Sequence, residues 1–365
     1  MYRVTPQPTS LSSTPRAGFP DTGYSAAGAT VISRADVIAR SGVLAVVRCP
    51  DDATIGAMRG GQLLLGLLGP LDHPQRMAAL ATKGVVAVAF DLLPRTLSRA
   101  QSMDALTSQS TAAGYGAAVV AAEASGRFFP MMITAAGTAR PASVIVIGAG
   151  VAGLEALSTA RRLGAVVTGY DVRPASRGEV ESVGATFLTS TVAQGAGEGG
   201  YARVMTADEL RQQQAELAGH LTRFDVIITT AKVPGRTPPE LVSVDTLSRL
   251  TPGSVCVDLA AGDHGGNVAG ALDGKRIITP GGVTIIGGDL AADLPTSASQ
   301  MYARNVLALL GTLIIDDTIR IDPADEVHAA VVVCRGGELT SAAVRAAQGL
   351  PPAIPIDASK KAGVA

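Results

Sequence analysis

Three glycines near the middle of the chain have the spacing of a phosphate-binding turn. Gly148, Gly150 and Gly153 form a G-x-G-x-x-G run that follows the apolar segment VIVI and opens the helical pattern VAGLEALSTARRLG. The next apolar segment ends on Asp171, 18 residues beyond Gly153. Such a run is weak evidence by itself in a chain with 42 glycines. Its place between a strand and a helix, with an acidic residue about 20 positions later, predicts a dinucleotide site.

Each position of this motif has a physical reason. Gly148 permits a tight turn, Gly150 lets the backbone approach a pyrophosphate, and Gly153 allows helix and strand to pack closely. The unpaired N–H groups at the start of the helix attract an anion, and the helix dipole adds about 0.3–1 kcal/mol. The residues predicted here to bind the cofactor are Gly148, Gly150, Val151, Ala152, Gly153, Asp171, Val172 and Arg173.

The strand that ends on Asp171 indicates which nucleotide is bound. The Asp171 carboxylate can accept hydrogen bonds from both ribose hydroxyls of NAD(H) and would repel the 2′-phosphate of NADP(H), so NAD(H) is favoured. Arg173 leaves the other preference open, because a guanidinium can pair with that phosphate. A Rossmann-like domain that binds no nucleotide is the structural alternative.

The composition indicates how many domains the chain forms and which kinds of site it lacks. The 365 residues suggest about two domains, 47% of them are hydrophobic, and tryptophan is absent. Such aliphatic cores suit parallel sheets that are buried on both faces. The net charge of −1 gives no electrostatic footprint for nucleic acid. Cys49, Cys256 and Cys334 are far apart and form no C-x-x-C pair, so we expect buried thiols and no metal site.

No segment indicates direct insertion into a membrane. The longest apolar run, residues 306–315, is shorter than the roughly 20 residues that span a bilayer. The first twenty residues lack the apolar core of a signal peptide. We therefore expect a cytoplasmic protein.

Short apolar runs alternate with helical patterns on both sides of the glycine motif, which predicts an α/β fold with parallel sheets. Strands are expected at GVLAVVR, QLLLGLL and VVAVAFDLL before the motif, and at DVIITT, SVCVDLA and GVTIIGG after it. Thr206 and Glu209 form a capping box before a helix that places Leu210, Leu217 and Leu221 on one face. The segment 134–143 is read as a junction, and the last strong helix covers residues 297–314.

Six segments are similar to the alanine dehydrogenase and nicotinamide nucleotide transhydrogenase alpha-subunit family. They are VIVIGAGVAGLEALSTARRLGAVVTGYDVRP, VESVGATF, GEGGYAR, DVIITTAKVPGR, PGSVCVDLAAG and SASQMYARNV. The resemblance implies two Rossmann-like, doubly wound domains with a cleft between them. In it the NAD(H)-binding domain, residues 134–295, is inserted into a discontinuous domain of residues 1–133 and 296–350, and residues 351–365 form a flexible tail.

The segment PRTLSRAQSMDALTSQSTAAGY resembles the transhydrogenase branch. In that branch an R…Q-x-x-D loop holds the nicotinamide, and Gln101, Asp104 and Thr107 match it. One extra residue leaves both Arg95 and Arg99 as candidates for the arginine. The resemblance also implies nucleotide contacts from Gly200 and Tyr201 in a mobile loop, and from Gln213, Thr230 and Lys232. It places an apolar residue where Lys232 stands.

The two branches need different chemistry. Alanine oxidation requires an acid/base group and a cation for the substrate carboxylate. The resemblance places the dehydrogenase histidine near Gly69, and the nearest histidine, His73, lies beyond that position. Arg48 could bind the substrate carboxylate. His220 is expected to be a surface or packing residue, and His264, beside Asp263, is the other candidate acid/base. Transhydrogenation needs only positioning, which can lower a barrier by about 7–11 kcal/mol.

The resemblance therefore implies the NAD(H)-binding subunit of a Re/Si-specific, proton-translocating NAD(P) transhydrogenase. NADP(H) would be held by a partner beta subunit, a membrane subunit would carry the protons, and the chain would be a homodimer at the inner face of the plasma membrane. An alanine dehydrogenase-like enzyme and an NAD-binding subunit without activity of its own are the alternatives. The family opens with a strand and a long helix that carry an R-V-A-x-x-P signature, which only YRVTPQP echoes here, and the helix is missing. Either the start of the chain is misassigned, or the first sheet lacks an element and an exposed apolar sheet edge is expected.

Overall fold

The computed structural model describes residues 17–192, 205–232, 235–316 and 318–351. The chain divides into two compact units. The second unit is continuous and consists of Gln109–Leu294, whereas the first combines residues up to Ser108 with those from Pro295 onward.

The helices and strands are as follows in the described part of the chain. The first segment contains α1 (Asp21–Ala26), α2 (Arg34–Arg40), β1 (Val43–Arg48), α3 (Asp52–Ala57), β2 (Leu63–Leu67), α4 (Pro74–Thr82), β3 (Val86–Ala89), the 3-10 helices Phe90–Leu92 and Ser98–Met103, and the start of α5 (Ala105–Ala124). The second unit continues with β4 (Met132–Thr134), β5 (Gly137–Ala139), β6 (Ser143–Ile147), α6 (Val151–Arg162), β7 (Val166–Asp171), α7 (Ser176–Ser182), β8 (Thr186–Thr189), α8 (Ala207–Leu221), β9 (Val226–Thr229), α9 (Val244–Arg249), β10 (Val255–Asp258), β11 (Lys275–Ile278), β12 (Thr284–Gly287) and the 3-10 helix Leu290–Asp293. The first unit then resumes with α10 (Pro295–Leu313), β13 (Ile314–Ile315), β14 (Thr318–Ile319), α11 (Glu326–Val331), β15 (Val332–Arg335), β16 (Glu338–Leu339) and α12 (Ala342–Ala347).

The first unit is built on a five-stranded sheet in the order β1-β2-β3-β15-β16. Strands β1, β2 and β3 are parallel, with Leu63 of β2 paired with Val43 and with Val86. Successive residues of β2 enter two different core clusters, since Leu63 packs in one and Leu64 in the other. The sheet is therefore covered on both faces, as parallel sheets require.

The second unit holds a seven-stranded sheet in the order β11-β12-β10-β9-β6-β7-β8. All neighbours are parallel except β11, which runs antiparallel to β12. The chain leaves β6 toward β7 on one side and returns to β9 on the other. This reversal creates a crevice at the carboxyl ends of the strands, where such sheets bind ligands. The predicted α/β class with Rossmann-like sheets is confirmed.

Several local predictions are also confirmed. Thr206 and Glu209 form both hydrogen bonds of a capping box at the start of α8. Leu217 and Leu221 of that helix are buried, and Leu210 packs against the same cluster. Cys256 lies in β10 and Cys334 in β15, and both are buried as expected, whereas Cys49 is half-buried.

The structure differs from the expectations at three places. The segment read as a junction forms an antiparallel hairpin of β4 and β5. Strand β15, which was not expected from the sequence, joins the first sheet antiparallel to β3. Strand β1 is an edge of that sheet in the described part of the chain, but Leu44 and Ala45 on it are buried. The apolar surface exposed at this edge is therefore smaller than expected. Among the described helices, none is both long and apolar enough to cross a membrane.

Candidate functional site

The turn after β6 has the geometry predicted from its glycines. Gly148 has a φ of +100°, which a side chain would strain, and its N–H donates to the carbonyl oxygen of Tyr170 at 2.8 Å. The hydroxyl of Thr230 donates to the carbonyl oxygen of Gly148 at 2.9 Å, and a Cβ on Gly148 would lie 2.5 Å from that hydroxyl oxygen. Thr230 therefore packs against the turn and stabilises it by this hydrogen bond.

The two later glycines have different surroundings. A Cβ on Gly153 would lie 1.8 Å from the carbonyl oxygen of Gly148, so only glycine lets helix α6 start this close to the strand. A Cβ on Gly150 would meet nothing within 4 Å. Gly150 is the N-cap of α6 and no side chain caps that helix, which begins with Val151 and Ala152. The backbone at the N-terminus of α6 is therefore unobstructed at Gly150, as a helix terminus that binds a phosphate group requires.

Close packing on the other side of α6 depends on a glycine that the sequence motif does not include. A Cβ on Gly114 of α5 would lie 2.1 Å from the carbonyl oxygen of Ala152. Helix α5 thus approaches the first turn of α6 at its backbone. A lone glycine within an alanine-rich helix gives no local signal of this contact.

Asp171 ends β7, is 7% exposed, and bonds to the glycine turn. Its Oδ2 accepts from the N–H of Ala149 at 2.7 Å and from Nη2 of Arg173 at 2.8 Å. Its Oδ1 accepts from the N–H and from Nε of Arg173 at 2.8 and 2.9 Å. Hydrogen bonding to Asp171 raises the pKa of Arg173 although burial opposes this. The four bonds use the acceptor positions of the carboxylate, so a ribose can bind only by exchanging with Arg173.

A hollow of about 250 Å³, open to solvent, lies beside Asp171. Its lining residues come from the end of β7, from α7 and from β8, and they are Asp171, Val172, Pro174, Arg177, Phe187, Thr189 and Ser190. The Arg177 guanidinium lies 4.8 Å from the centre of the Phe187 ring. The hollow thus offers flat apolar and cationic groups next to the predicted ribose acceptor.

The remaining predicted nucleotide contacts are scattered. Gln213 is 4% exposed and hydrogen bonds to the buried hydroxyl of Tyr170, whose pKa is raised by burial. Lys232 is exposed, and its N–H donates to the carbonyl oxygen of Thr230 at 3.0 Å. Gly200 and Tyr201 lie outside the described residues, as do residues 352–365 of the expected tail.

In the first unit, a second group of predicted residues lies together. Arg95 donates from Nε to Oδ2 of Asp104 at 3.2 Å and from Nη2 to the hydroxyl of Thr107 at 2.9 Å. The Thr107 hydroxyl donates to the same carboxylate oxygen at 2.6 Å. Oδ1 of Asp104 accepts from the N–H of Thr107 at 2.8 Å, so Asp104 also caps helix α5. We call these three residues the Arg95 cluster.

The structure separates the two candidate arginines. Arg99 is bonded to Asp325 through both Nη atoms, at 2.8 and 2.9 Å, whereas Arg95 is bonded to Asp104. Gln101 is exposed on the 3-10 helix Ser98–Met103, two residues after Arg99. Of the two arginines, Arg95 is therefore the one that lies against the predicted Asp104.

The histidines occupy varied positions. His73 is the N-cap residue of α4, and its Cδ2 atom lies 3.5 Å from where a Cβ on Gly69 would be. His220 is half-buried near the end of α8, and its Nδ1 lies 2.8 Å from Nη2 of Arg223. His264 is exposed. His328 is buried, and its Nε2 lies 3.1 Å from the hydroxyl of Thr312.

Two models of one protein family match successive parts of the chain. Residues 117–342 match the family model "Alanine dehydrogenase/PNT, C-terminal domain", and residues 12–113 match "Alanine dehydrogenase/PNT, N-terminal domain". The NAD(P) transhydrogenase subunit alpha of Haemophilus influenzae is 40% identical over 88% of the chain. The chain spans 63% of the length of that relative.

Two further relatives are covered more fully. An NAD(P) transhydrogenase subunit alpha chain of Rhodospirillum rubrum is 39% identical over 90% of this chain and 88% of its own length. A crystal structure of transhydrogenase from Sinorhizobium meliloti is 40% identical, with a TM-score of 0.77, and covers 89% of this chain and 88% of its own. The alanine dehydrogenase of Mycobacterium tuberculosis is more distant, at 31% identity over 69% of the chain and 62% of its own length.

Proposed function

The chain belongs to the alanine dehydrogenase/PNT family, and from this we propose that it is the NAD(H)-binding subunit of a transhydrogenase. The observation that carries the proposal is the glycine turn of Gly148, Gly150 and Gly153, tied by a hydrogen bond from Ala149 to Asp171. Identity of 36–40% to transhydrogenase alpha subunits, against 30–31% to alanine dehydrogenases, supports this branch of the family.

The residues present fit a dinucleotide. In the proposal, the open N-terminus of α6 receives the pyrophosphate, Asp171 accepts the adenosine ribose, and Val172 contacts the adenosine end. Gln101 and Asp104 orient the nicotinamide, while Arg95 fixes the direction of the Asp104 carboxylate through their 3.2 Å contact. We include Gly200, Tyr201, Gln213, Thr230 and Lys232 as nucleotide contacts on the resemblance alone.

Bound NADH supplies the hydride, which NADP⁺ on a partner subunit accepts, so that NAD⁺ and NADPH are formed. No proton is gained or lost in this transfer, so the chain needs no acid/base residue for it. Its residues bind and orient the donor, which is where a protein lowers the barrier of such a reaction. We propose that a membrane subunit couples the transfer to proton movement, and that it holds the complex at the cytoplasmic face of the membrane.

A symmetric dimer is part of the proposal. The hairpin of β4 and β5 forms a sheet of only two strands, which is marginally stable alone. Around it Ile133 is 79% exposed, Met131 61% and Phe128 57%. Such an apolar patch fits coverage by the same patch of a second copy. Ile133→Asp should give monomers in sedimentation velocity, whereas Ile278→Asp, at another exposed apolar position, should not. An unchanged sedimentation coefficient for Ile133→Asp refutes this contact.

One observation supports alanine dehydrogenase activity as a second candidate. The ring of His73 lies beside Gly69, the position at which the dehydrogenase branch is expected to carry its histidine. Reduction of NAD⁺ by the purified chain with L-alanine, abolished in His73→Gln, would support this activity. The absence of reduction leaves transhydrogenation as the single candidate reaction.

The first experiment is a fluorescence titration of the purified chain with NADH, using NADPH as the comparison. Saturable NADH binding and weaker NADPH binding support the site. Mixing with an NADP-binding partner subunit should then permit hydride transfer from NADH. A chain that binds neither nucleotide contradicts the proposal and supports a subunit that has lost its site.

A further inference from the structure

The segment Ser98–Thr107 carries Gln101 and Asp104, and its own structure gives it little rigidity. It consists of a short 3-10 helix and the first turn of α5. Such helices are rarely stable alone, because their hydrogen bonds have poor geometry. The position of this segment must therefore be set by contacts with other parts of the first unit.

One contact comes from α10. Asn305 is 6% exposed, and its Nδ2 donates to the carbonyl oxygen of Ser102 at 2.9 Å. Ser102 lies directly after Gln101. Ala100 and Met103 pack in the same core cluster as Tyr302 and Val306 of α10. The side chain of a buried asparagine thus holds the backbone between the two predicted nicotinamide contacts.

A second contact comes from the residue before α11. Asp325 accepts two hydrogen bonds from the Arg99 guanidinium, and its Oδ1 also accepts from the N–H groups of Val327 and His328. The carboxylate is therefore fixed by α11 on one side while it binds Arg99 on the other. Hydrogen bonding to Arg99 holds the pKa of Asp325 well below its usual range.

We propose that Asp325 and Asn305 are positioning residues that hold the segment Ser98–Thr107 in place for hydride transfer. Arg99 is in this view the attachment point of the segment and not a nicotinamide contact. The inference rests on the proposed function for its consequence in activity, but the restraint itself is a property of the chain without nucleotide. Asp325 acts on the segment through Arg99, and Asn305 acts through the carbonyl of Ser102.

The test is hydrogen–deuterium exchange of peptides that cover Ser98–Thr107. Asp325→Asn keeps an N-cap acceptor for α11 and removes the charge, so the fold is preserved. Arg99→Gln breaks the same pair from the other side. Exposed ion pairs contribute up to about 1 kcal/mol, so exchange of these peptides should rise by about two- to fivefold in both variants. Asp52→Asn, which breaks the Arg76 pair of the same unit, is the matched control and should leave them unchanged.

Activity supplies the second arm. With the NADP-binding partner present, Asp325→Asn and Arg99→Gln should lower kcat for hydride transfer by about the same factor and change the KM for NADH little. Arg99→Lys, which keeps a positive charge opposite Asp325, should lose less kcat than Arg99→Gln. Unchanged exchange in the segment overturns the proposal, and so does faster exchange with an unchanged kcat. If the wild-type chain transfers no hydride, the proposed function fails, while the exchange result still decides whether the restraint exists.

Discussion

Replacing Asp171 by serine removes the acceptor that we propose for the adenosine ribose of NADH. In the structure this carboxylate accepts four hydrogen bonds, three of them from Arg173 and one from Ala149. A ribose that donates two hydroxyls must displace part of the arginine. The favourable free energy of ribose binding is therefore that of the new ribose–Asp171 hydrogen bonds less that of the Arg173–Asp171 hydrogen bonds that are lost.

This exchange sets the expected magnitude. Hydrogen bonds to a charged group contribute about 1.5–3 kcal/mol, and the loss of the Arg173 contacts offsets part of that. We expect the lower end, about 1.5 kcal/mol, which is roughly a tenfold rise in the Kd for NADH. NADPH should be affected less, because serine no longer repels the 2′-phosphate and leaves Arg173 without its carboxylate partner. Discrimination between the two nucleotides should fall accordingly.

The assay is a parallel fluorescence titration of wild type and Asp171→Ser with NADH and NADPH. Asp245→Ser serves as the control, because Asp245 is an exposed carboxylate paired with Arg249 in the same unit. Thermal unfolding without nucleotide checks that the loss of the Ala149 contact has not unfolded the turn. Equal losses of affinity for NADH and NADPH would falsify the ribose role of Asp171.

Three other predictions follow from the same contacts. Gly153→Ala places a methyl group 1.8 Å from the carbonyl oxygen of Gly148 and should lower the free energy of unfolding by about 1–3 kcal/mol. Gly150→Ala should keep the melting temperature and weaken NADH binding. A normal melting temperature for Gly153→Ala contradicts the structure. Burial raises the pKa of Cys256 to about 12, so a disulfide reagent at pH 8 should modify it only after denaturation. Burial acts to raise the pKa of Asp225, but hydrogen bonds from Ser143 and Arg140 lower this pKa below 3.8. Its stabilising effect is therefore present above that pH and is lost as the pH falls through the lower folded-state value, and Arg140→Ala should reduce the acid sensitivity of the melting temperature.

The parts of the site that could be predicted are those encoded by neighbouring residues. The glycine turn is specified within six positions, because Gly148 and Gly153 answer local steric demands that appear in the structure as a positive φ and as short Cβ distances. The capping box of α8 is specified by two residues three positions apart. Strand β2 could be predicted because a strand that is buried on both faces appears in the sequence as an uninterrupted apolar run.

The parts that could not be predicted depend on where side chains point or on distant pairs. Nothing in the sequence GYDVR shows that Arg173 folds back onto Asp171. Arg99 bonds to Asp325, 226 residues away, and no local pattern in the sequence shows that pair. Gln213 bonds to Tyr170 inside the second unit, which its helical position alone does not reveal.

The division of the first unit into two chain segments determines when it can fold. Strand β15 pairs with β3, and the thiol of Cys334 donates to the carbonyl oxygen of Val85, 249 residues earlier. During synthesis the continuous unit Gln109–Leu294 is complete before α10, α11 and β15 leave the ribosome. Strand β3 therefore waits with an unpaired edge while the dinucleotide-binding unit folds, and closing so long a loop is slow. Chaperone dependence and aggregation should thus arise from the first hundred residues, and a ribosome-stalled chain ending near residue 294 should contain one folded unit.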